Sequence, residues 1–217
     1  MTLLDFARGA AMKWSIAVFL FGVLWRLVGV LLLRRAHDYS QSRGPSLVAG
    51  ALQTIITRSW PRKEFRASTA YGVAISYVFH IGLAIVVFGF VPHILLIRSL
   101  IGIGWDGLPS GVIYFCSVVT LIALVMAIIR RLTHPVLRLL SNFDDYFSWL
   151  VTAAPVLSGL LVVAHFGARY ETLLAVHILS VEVLLIWFPF GKLMHSLLLP
   201  LARGQTGAFY ARRGAST

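Results

Sequence analysis

The feature that most constrains this chain is the length and spacing of its apolar stretches. Five segments carry mostly apolar residues over about 20 positions or more, the length a helix needs to cross a bilayer core. They run from about Trp14 to Leu33, Thr69 to Ile97, Val112 to Ile129, Tyr146 to Phe166 and Thr172 to Leu199. The second and fifth are long enough to tilt or to project beyond the bilayer. No stretch alternates apolar and polar residues as a barrel strand would, so helices are the remaining way to span. The chain is 59% hydrophobic and 12% charged, where a soluble domain is about 45–50% apolar and about 25% charged. The sequence therefore predicts an all-α membrane protein, a bundle of five transmembrane helices forming a single membrane domain over residues 1–217. Arg8 and Lys13 precede the first segment as they would in a signal peptide. Its apolar run exceeds the about 7–15 residues of a signal core, and Arg34 and Arg35 follow without a clear small-x-small cleavage site, so a retained helix is expected.

The few charges are unbalanced, at net +11. A nucleic-acid binder could share that charge but not the oil, so no nucleic-acid partner is expected. In a membrane protein an excess of Lys and Arg marks the cytoplasmic side. The 34–68 loop, the 130–145 loop and the 200–217 tail hold 13 of them, while the N-terminal stretch and the 98–111 and 167–171 loops hold four: Arg8, Lys13, Arg98 and Arg169. This predicts an outer N-terminus and a cytoplasmic C-terminus, in contact with membrane lipid. Residues 45–60 of the long basic loop carry Leu47, Val48, Leu52, Ile55 and Ile56 near helical spacing. They read either as a helix in the interface plane or supporting a partner, or as a connector resting on the bundle. The basic, Gly-containing tail is expected to order only on a partner or lipid surface.

Cys116 is the single cysteine. That rules out a disulfide within the chain, a four-cysteine iron–sulfur cluster and c-type haem attachment. A redox centre in this chain would fall to histidine. His37 and His134 sit in loops, where a surface or turn role suffices. The other five lie in or at the edge of the apolar segments, where ionisable groups face a cavity, a cofactor or one another. The second segment carries His80 and His93, the fifth His177 and His195. An odd number of crossings separates these segments, so they run antiparallel. His80 then falls level with His195, and His93 level with His177. Two stacked b haems require such transverse pairs, one imidazole from each side of each iron. His177 and His195 are 18 residues apart, five full turns or about 27 Å along one helix face. His80 and His93 are 13 apart, about 20 Å and roughly 140° out of phase, a mismatch that a kink at Pro92 could relieve. Gly82 and Gly89 read as positions where a macrocycle approaches the backbone. His165, at the outer end of the fourth segment, could replace an outer ligand or line a cavity beside it.

At these residues the sequence resembles the gamma subunit of respiratory nitrate reductase and its wider family, which includes sulfite reductase-linked and hydrogenase-linked membrane cytochromes. The carrying features are FHIGL with the second histidine of that helix, the interval from His177 to His195, and THPVLRLLSNFDDYFSWLV leading into the fourth helix. The likeness covers roughly residues 70–200. The interval on the second helix is wider than in the nitrate reductase pattern and looks closer to the sulfur-metabolism and hydrogenase-linked branch. The resemblance implies two haem b groups as cofactors, one on His80 and His195 near the cytoplasm, one on His93 and His177 near the outer face. It also implies quinone as substrate near the outer haem. A cytoplasmic iron–sulfur subunit of a multi-subunit redox complex would be the partner, in a bacterial or archaeal cytoplasmic membrane.

Near these sites, Arg26 and Lys192 read as partners for anionic haem propionates or, for Lys192 especially, as side chains snorkelling to headgroups. Glu182, in an apolar run, reads as a protonated structural acid or as a proton-passing group. With His165, Arg98 and Arg169 it completes the candidate quinone residues. No P-loop, dinucleotide motif, HExxH or nucleophile–base motif is present, and no catalytic residue is assigned. Two other classes remain: a proton-coupled small transporter, against which the lack of repeat halves argues, and a non-redox membrane anchor.

Overall fold

The computed structural model describes residues 2–33, 39, 41–44 and 46–215. Among these residues every regular element is helical. The helices are α1 (Leu3–Leu31, with one π turn at Ala7–Ala11), α2 (Leu47–Thr57), α3 (Arg66–Gly89), α4 (Val91–Ile101), α5 (Ser110–Thr133), α6 (Pro135–Leu140), α7 (Phe143–Ala164), α8 (Tyr170–Trp187) and α9 (His195–Arg212). Five of them, α1, α3, α5, α7 and α8, are long and apolar enough to cross a membrane. The chain is a multi-pass all-α membrane protein. Its accessible surface is 14515 Å², against about 10,000 Å² for a soluble monomer of this size. Much of the excess is Leu, Ile, Val, Phe and Trp turned outward.

Helix ends differ from the hydropathy pattern for identifiable reasons. The first span begins at Leu3, because Thr2 and Asp5 form a reciprocal cap: Thr2 Oγ1 accepts from Asp5 N at 3.1 Å and Asp5 Oδ2 from Thr2 N at 2.9 Å. Arg8 and Lys13 thus lie inside the first helix rather than ahead of it. The second apolar segment is two helices. The chain turns extended at Phe90 (φ −83°, ψ 124°), and Pro92 opens α4, where its missing N–H is no loss. A helix end leaves its last carbonyls without donors, and here they are met one by one. Val86 O accepts from His93 Nδ1, Phe88 O from Trp105 Nε1 at 2.6 Å, and Gly89 O from Leu108 N at 2.8 Å.

The fifth segment also breaks. Helix α8 ends at Trp187, the chain turns through Pro189 and Gly191, and α9 begins at His195. The turn is wedged against α1. Pro189 is fully buried, a Cβ on Gly22 would lie 2.5 Å from Pro189 Cγ, and the Phe19 and Phe188 rings meet edge to face at 5.3 Å. His177 and His195 are therefore on different helices, not five turns apart along one helix face as their spacing predicts. The tail is helical to Arg212 rather than waiting on a partner. Small residues let α2 and α9 close on each other: a Cβ on Gly207 would overlap Gly50 O and Thr54 Oγ1. Helix α2 is capped by Ser46, whose Oγ accepts from Ala49 N at 3.2 Å. It packs on α9 and leaves Val48, Leu52 and Ile56 exposed.

The spans pack in the order α3, α5, α7, α8, α1. The centre holds Leu124, Ala153 and Val156 with Phe79, Leu83 and Trp149 around them. Gly82 and Gly89 serve this packing. A Cβ on Gly82 would overlap Thr120 Oγ1 of α5, and one on Gly89 would lie 2.8 Å from Leu108 Cδ1. The reading of these glycines as openings for a macrocycle is corrected: Gly82 is two residues, or about 200°, from His80 around the helix. Among the described residues, α3 and α8 do not form a packed pair. Arg34, Arg35 and His37 lie outside the described residues.

Candidate functional site

Four histidines meet across the gap between α3–α4 and α8–α9. The ring centroids of His80 and His195 are 5.9 Å apart with planes at 89°. Those of His93 and His177 are 6.1 Å apart with planes at 17°. His80 and His195 are exposed, while His93 and His177 are half-buried. The two helix breaks make these meetings possible. The turn at Phe90 resets the phase of His93 relative to His80, and the turn at 188–194 delivers His195 at the head of a new helix.

In each ring the Nδ1 edge is already used. His80 Nδ1 lies 2.7 Å from Ser76 O, His195 Nδ1 2.7 Å from Lys192 O, and His93 Nδ1 3.0 Å from Val86 O. A carbonyl oxygen only accepts, so these three nitrogens carry the proton. His177 Nδ1 lies 3.1 Å from Ser158 Oγ. Ser180 Oγ donates to His177 O at 2.6 Å, and Ser158 Oγ has Pro155 O at 3.2 Å or Ser180 Oγ at 3.1 Å for its own hydrogen. With its hydrogen on Pro155 O or Ser180 Oγ, Ser158 Oγ is placed to accept from His177 Nδ1. In the neutral ring with Nδ1 as the donor, each of the four imidazoles presents Nε2 as an acceptor, and among the described residues none of those Nε2 atoms has a hydrogen-bond partner. A neutral imidazole with Nδ1–H on a carbonyl or hydroxyl is how proteins orient a metal-binding histidine.

Donor number and spacing bear on what such pairs could hold. A metal–imidazole bond is about 2 Å and the ring centroid lies about 1 Å further back, so two imidazoles on opposite sides of one ion have centroids roughly 6 Å apart. Among the described residues no three His, Cys, Asp or Glu side chains converge on one point. Two imidazoles without a third protein ligand do not make a tetrahedral zinc site. A pair of imidazoles could serve only a metal whose other four positions come with a macrocycle, as in haem.

The chain is similar to a protein of Nitratidesulfovibrio vulgaris (strain Hildenborough), with 33% identity over 226 aligned positions that cover 98% of this chain and 96% of that protein. The two belong to one family. That relative's name states no activity. No family model and no solved structure matches the chain.

The other candidate residues divide. Lys192 is half-exposed and already paired. Its Nζ pairs with Asp145 Oδ2 at 2.6 Å, and its backbone N donates to Asp144 Oδ1 at 3.1 Å. Asp145 also takes Arg131 Nη1 at 3.0 Å and closes a capping box with Asn142 at the start of α7. This clamp holds the residue whose carbonyl orients His195. Arg26 is exposed, with no ion pair among the described residues, one helical turn past Gly22 and so on the face toward Pro189. His165 joins neither pair. It ends α7 in the left-handed conformation (φ 50°), with Nδ1 on Val163 O at 3.0 Å and its ring stacked on Tyr170 at 5.5 Å. Arg169 precedes α8 beside it, and both are exposed, as is Arg98 on α4. Glu182 is elsewhere, 13 residues beyond Arg169, about 20 Å along the helix. It is 4% exposed, and its Oε1 has no hydrogen-bond partner among the described residues. His134 ends α5 in an extended conformation ahead of Pro135, a turn role. Ser158, Ser180 and the Asp144–Asp145 pair are the participants that sequence reasoning missed. The capping pattern Asn-Phe-Asp-Asp was a signal for the last two, while the serines had none.

Proposed function

We propose that this chain is the membrane dihaem b-type cytochrome subunit of a respiratory redox complex, akin to the nitrate reductase gamma subunit-like family. It would exchange electrons between the quinone pool and a cytoplasmic iron–sulfur subunit, in a bacterial or archaeal cytoplasmic membrane, with the N-terminus outside. The observation that carries this reading is the pairing itself: two cross-bundle imidazole pairs, each near 6 Å, each ring with Nδ1 committed and Nε2 free. When bound, each haem supplies a one-electron couple. His80 with His195 would hold one, and His93 with His177 the other. Arg26 lies toward the first pair and offers a guanidinium to an anionic propionate. At the opposite end, His165 keeps Nδ1–H on Val163 O and so has Nε2 open to take a proton from a quinol hydroxyl. Arg98 and Arg169 would polarise that headgroup.

The orphaned carboxyl of Glu182 is the one observation that favours a proton-coupled carrier instead. Single-histidine variants separate the readings. His80→Ala and His195→Ala should each remove the same half of the b-type α band in a reduced-minus-oxidised spectrum, and His93→Ala and His177→Ala the other half. Variants that leave the spectrum of the full chain unchanged, or that pair differently, contradict the proposal.

A further inference from the structure

The two histidine pairs are not built alike. His80 and His195 both donate to backbone carbonyls at 2.7 Å, and their planes cross at 89°. His93 donates to a carbonyl at 3.0 Å, but His177 Nδ1 meets a side-chain hydroxyl at 3.1 Å, and their planes lie within 17° of each other. The hydroxyl is that of Ser158, 8% exposed on α7 and fixed in turn by Pro155 O and Ser180 Oγ. Its neighbour Gly159 lies under the ring: a Cβ there would sit 3.2 Å from His177 Cε1 and 3.4 Å from His177 Nδ1. A hydrogen bond at one edge and a bare backbone against the face leave the imidazole one orientation about its Cβ–Cγ bond.

Resting on the dihaem reading, we propose that Ser158 and Gly159 are positioning residues that set the plane of His177 nearly parallel to that of His93, making the two iron sites electronically unlike. An axial imidazole donates π density perpendicular to its ring. Two parallel rings act on the same iron d orbital and split the d pair. Two crossed rings act on one orbital each and leave the pair nearly degenerate. Axial-ligand orientation and hydrogen bonding are two of the means by which a protein tunes such a centre.

The test uses the full-length protein purified with its haems. Low-temperature EPR of the oxidised form should show one rhombic low-spin signal, from His93 and His177, and one strongly anisotropic low-field signal, from His80 and His195. Ser158→Ala should alter the rhombic signal and shift the midpoint potential of one haem while the other keeps both. Ser158→Thr, which keeps a hydroxyl, should restore the wild-type pattern. Two signals of one type in the wild type, or a Ser158→Ala protein with both signals and both midpoints unchanged, would overturn the assignment. A protein that carries two haems but fails these tests refutes only the role of Ser158 and Gly159. A chain that binds no haem refutes the reading beneath it as well.

Discussion

Asp145 is where a single charge holds three parts of this fold. Its side chain is 8% exposed, receives Lys192 Nζ at 2.6 Å and Arg131 Nη1 at 3.0 Å, and accepts from Asn142 N at 3.0 Å to start α7. The cations are themselves 49% and 34% exposed, so water screens part of each attraction. A charged hydrogen bond is worth about 1.5–3 kcal/mol when enclosed and an exposed ion pair at most about 1 kcal/mol. An intermediate value of roughly 1 kcal/mol per cation gives about 2 kcal/mol for Asp145→Asn, whose amide oxygen still accepts from Asn142 N. Asp145→Ala removes the cap contact too and should cost about 3 kcal/mol. For a chain of this size, 2 kcal/mol corresponds to a melting shift of about 4–8 °C, readable by tryptophan fluorescence in detergent. A double-mutant cycle of Asp145→Asn with Lys192→Met isolates the pair and should return a coupling near 1 kcal/mol. A coupling indistinguishable from zero, with Asp145→Asn melting within a degree of wild type, would refute the clamp. It would also remove the reason for placing His195 through Lys192.

Other changes have equally definite outcomes. Gly22→Leu drives a side chain into Pro189 and should lower stability by about 1–3 kcal/mol, measured as a lower melting temperature. Glu182→Leu removes a buried polar group whose Oε1 has no partner among the described residues and should raise stability by about 1–2 kcal/mol. A loss of that size would mean the carboxyl is satisfied after all. Trp105→Phe deprives Phe88 O of its donor and should cost about 1 kcal/mol, with faster amide exchange at the end of α3 as the readout. Gly207→Leu should pry α2 from α9 and open the stretch before Arg212 to limited proteolysis, without loss of the transmembrane helices.

Span number and helical class were legible because hydropathy and length decide them with little help from tertiary contacts. Span ends were less so. The signals were present: PFG after Trp187 and Phe-Val-Pro at residues 90–92 mark turns. An apolar run carries hydropathy straight through them, and that hid both breaks. The level at which each histidine meets its partner followed from helix order alone, so the meetings of His80 with His195 and of His93 with His177 needed no side-chain detail. Helical phase did not transfer, because the second histidine of each apolar segment, His93 or His195, sits past a turn. The pairing of Lys192 was illegible for a related reason. Its carboxylate partners lie 47 and 48 residues earlier, and nothing in local spacing joins them. Ser158 was invisible, since a serine on a transmembrane helix reads the same whether it faces lipid, a carbonyl or an imidazole.

The central claim is that two imidazole pairs each grip one porphyrin iron. Haem content of the purified full-length chain, measured as the pyridine haemochrome per mole of protein, tests it most directly. The account predicts two b haems per chain. A chain that is folded, helical and saturated with haem during expression, yet returns none, contradicts it.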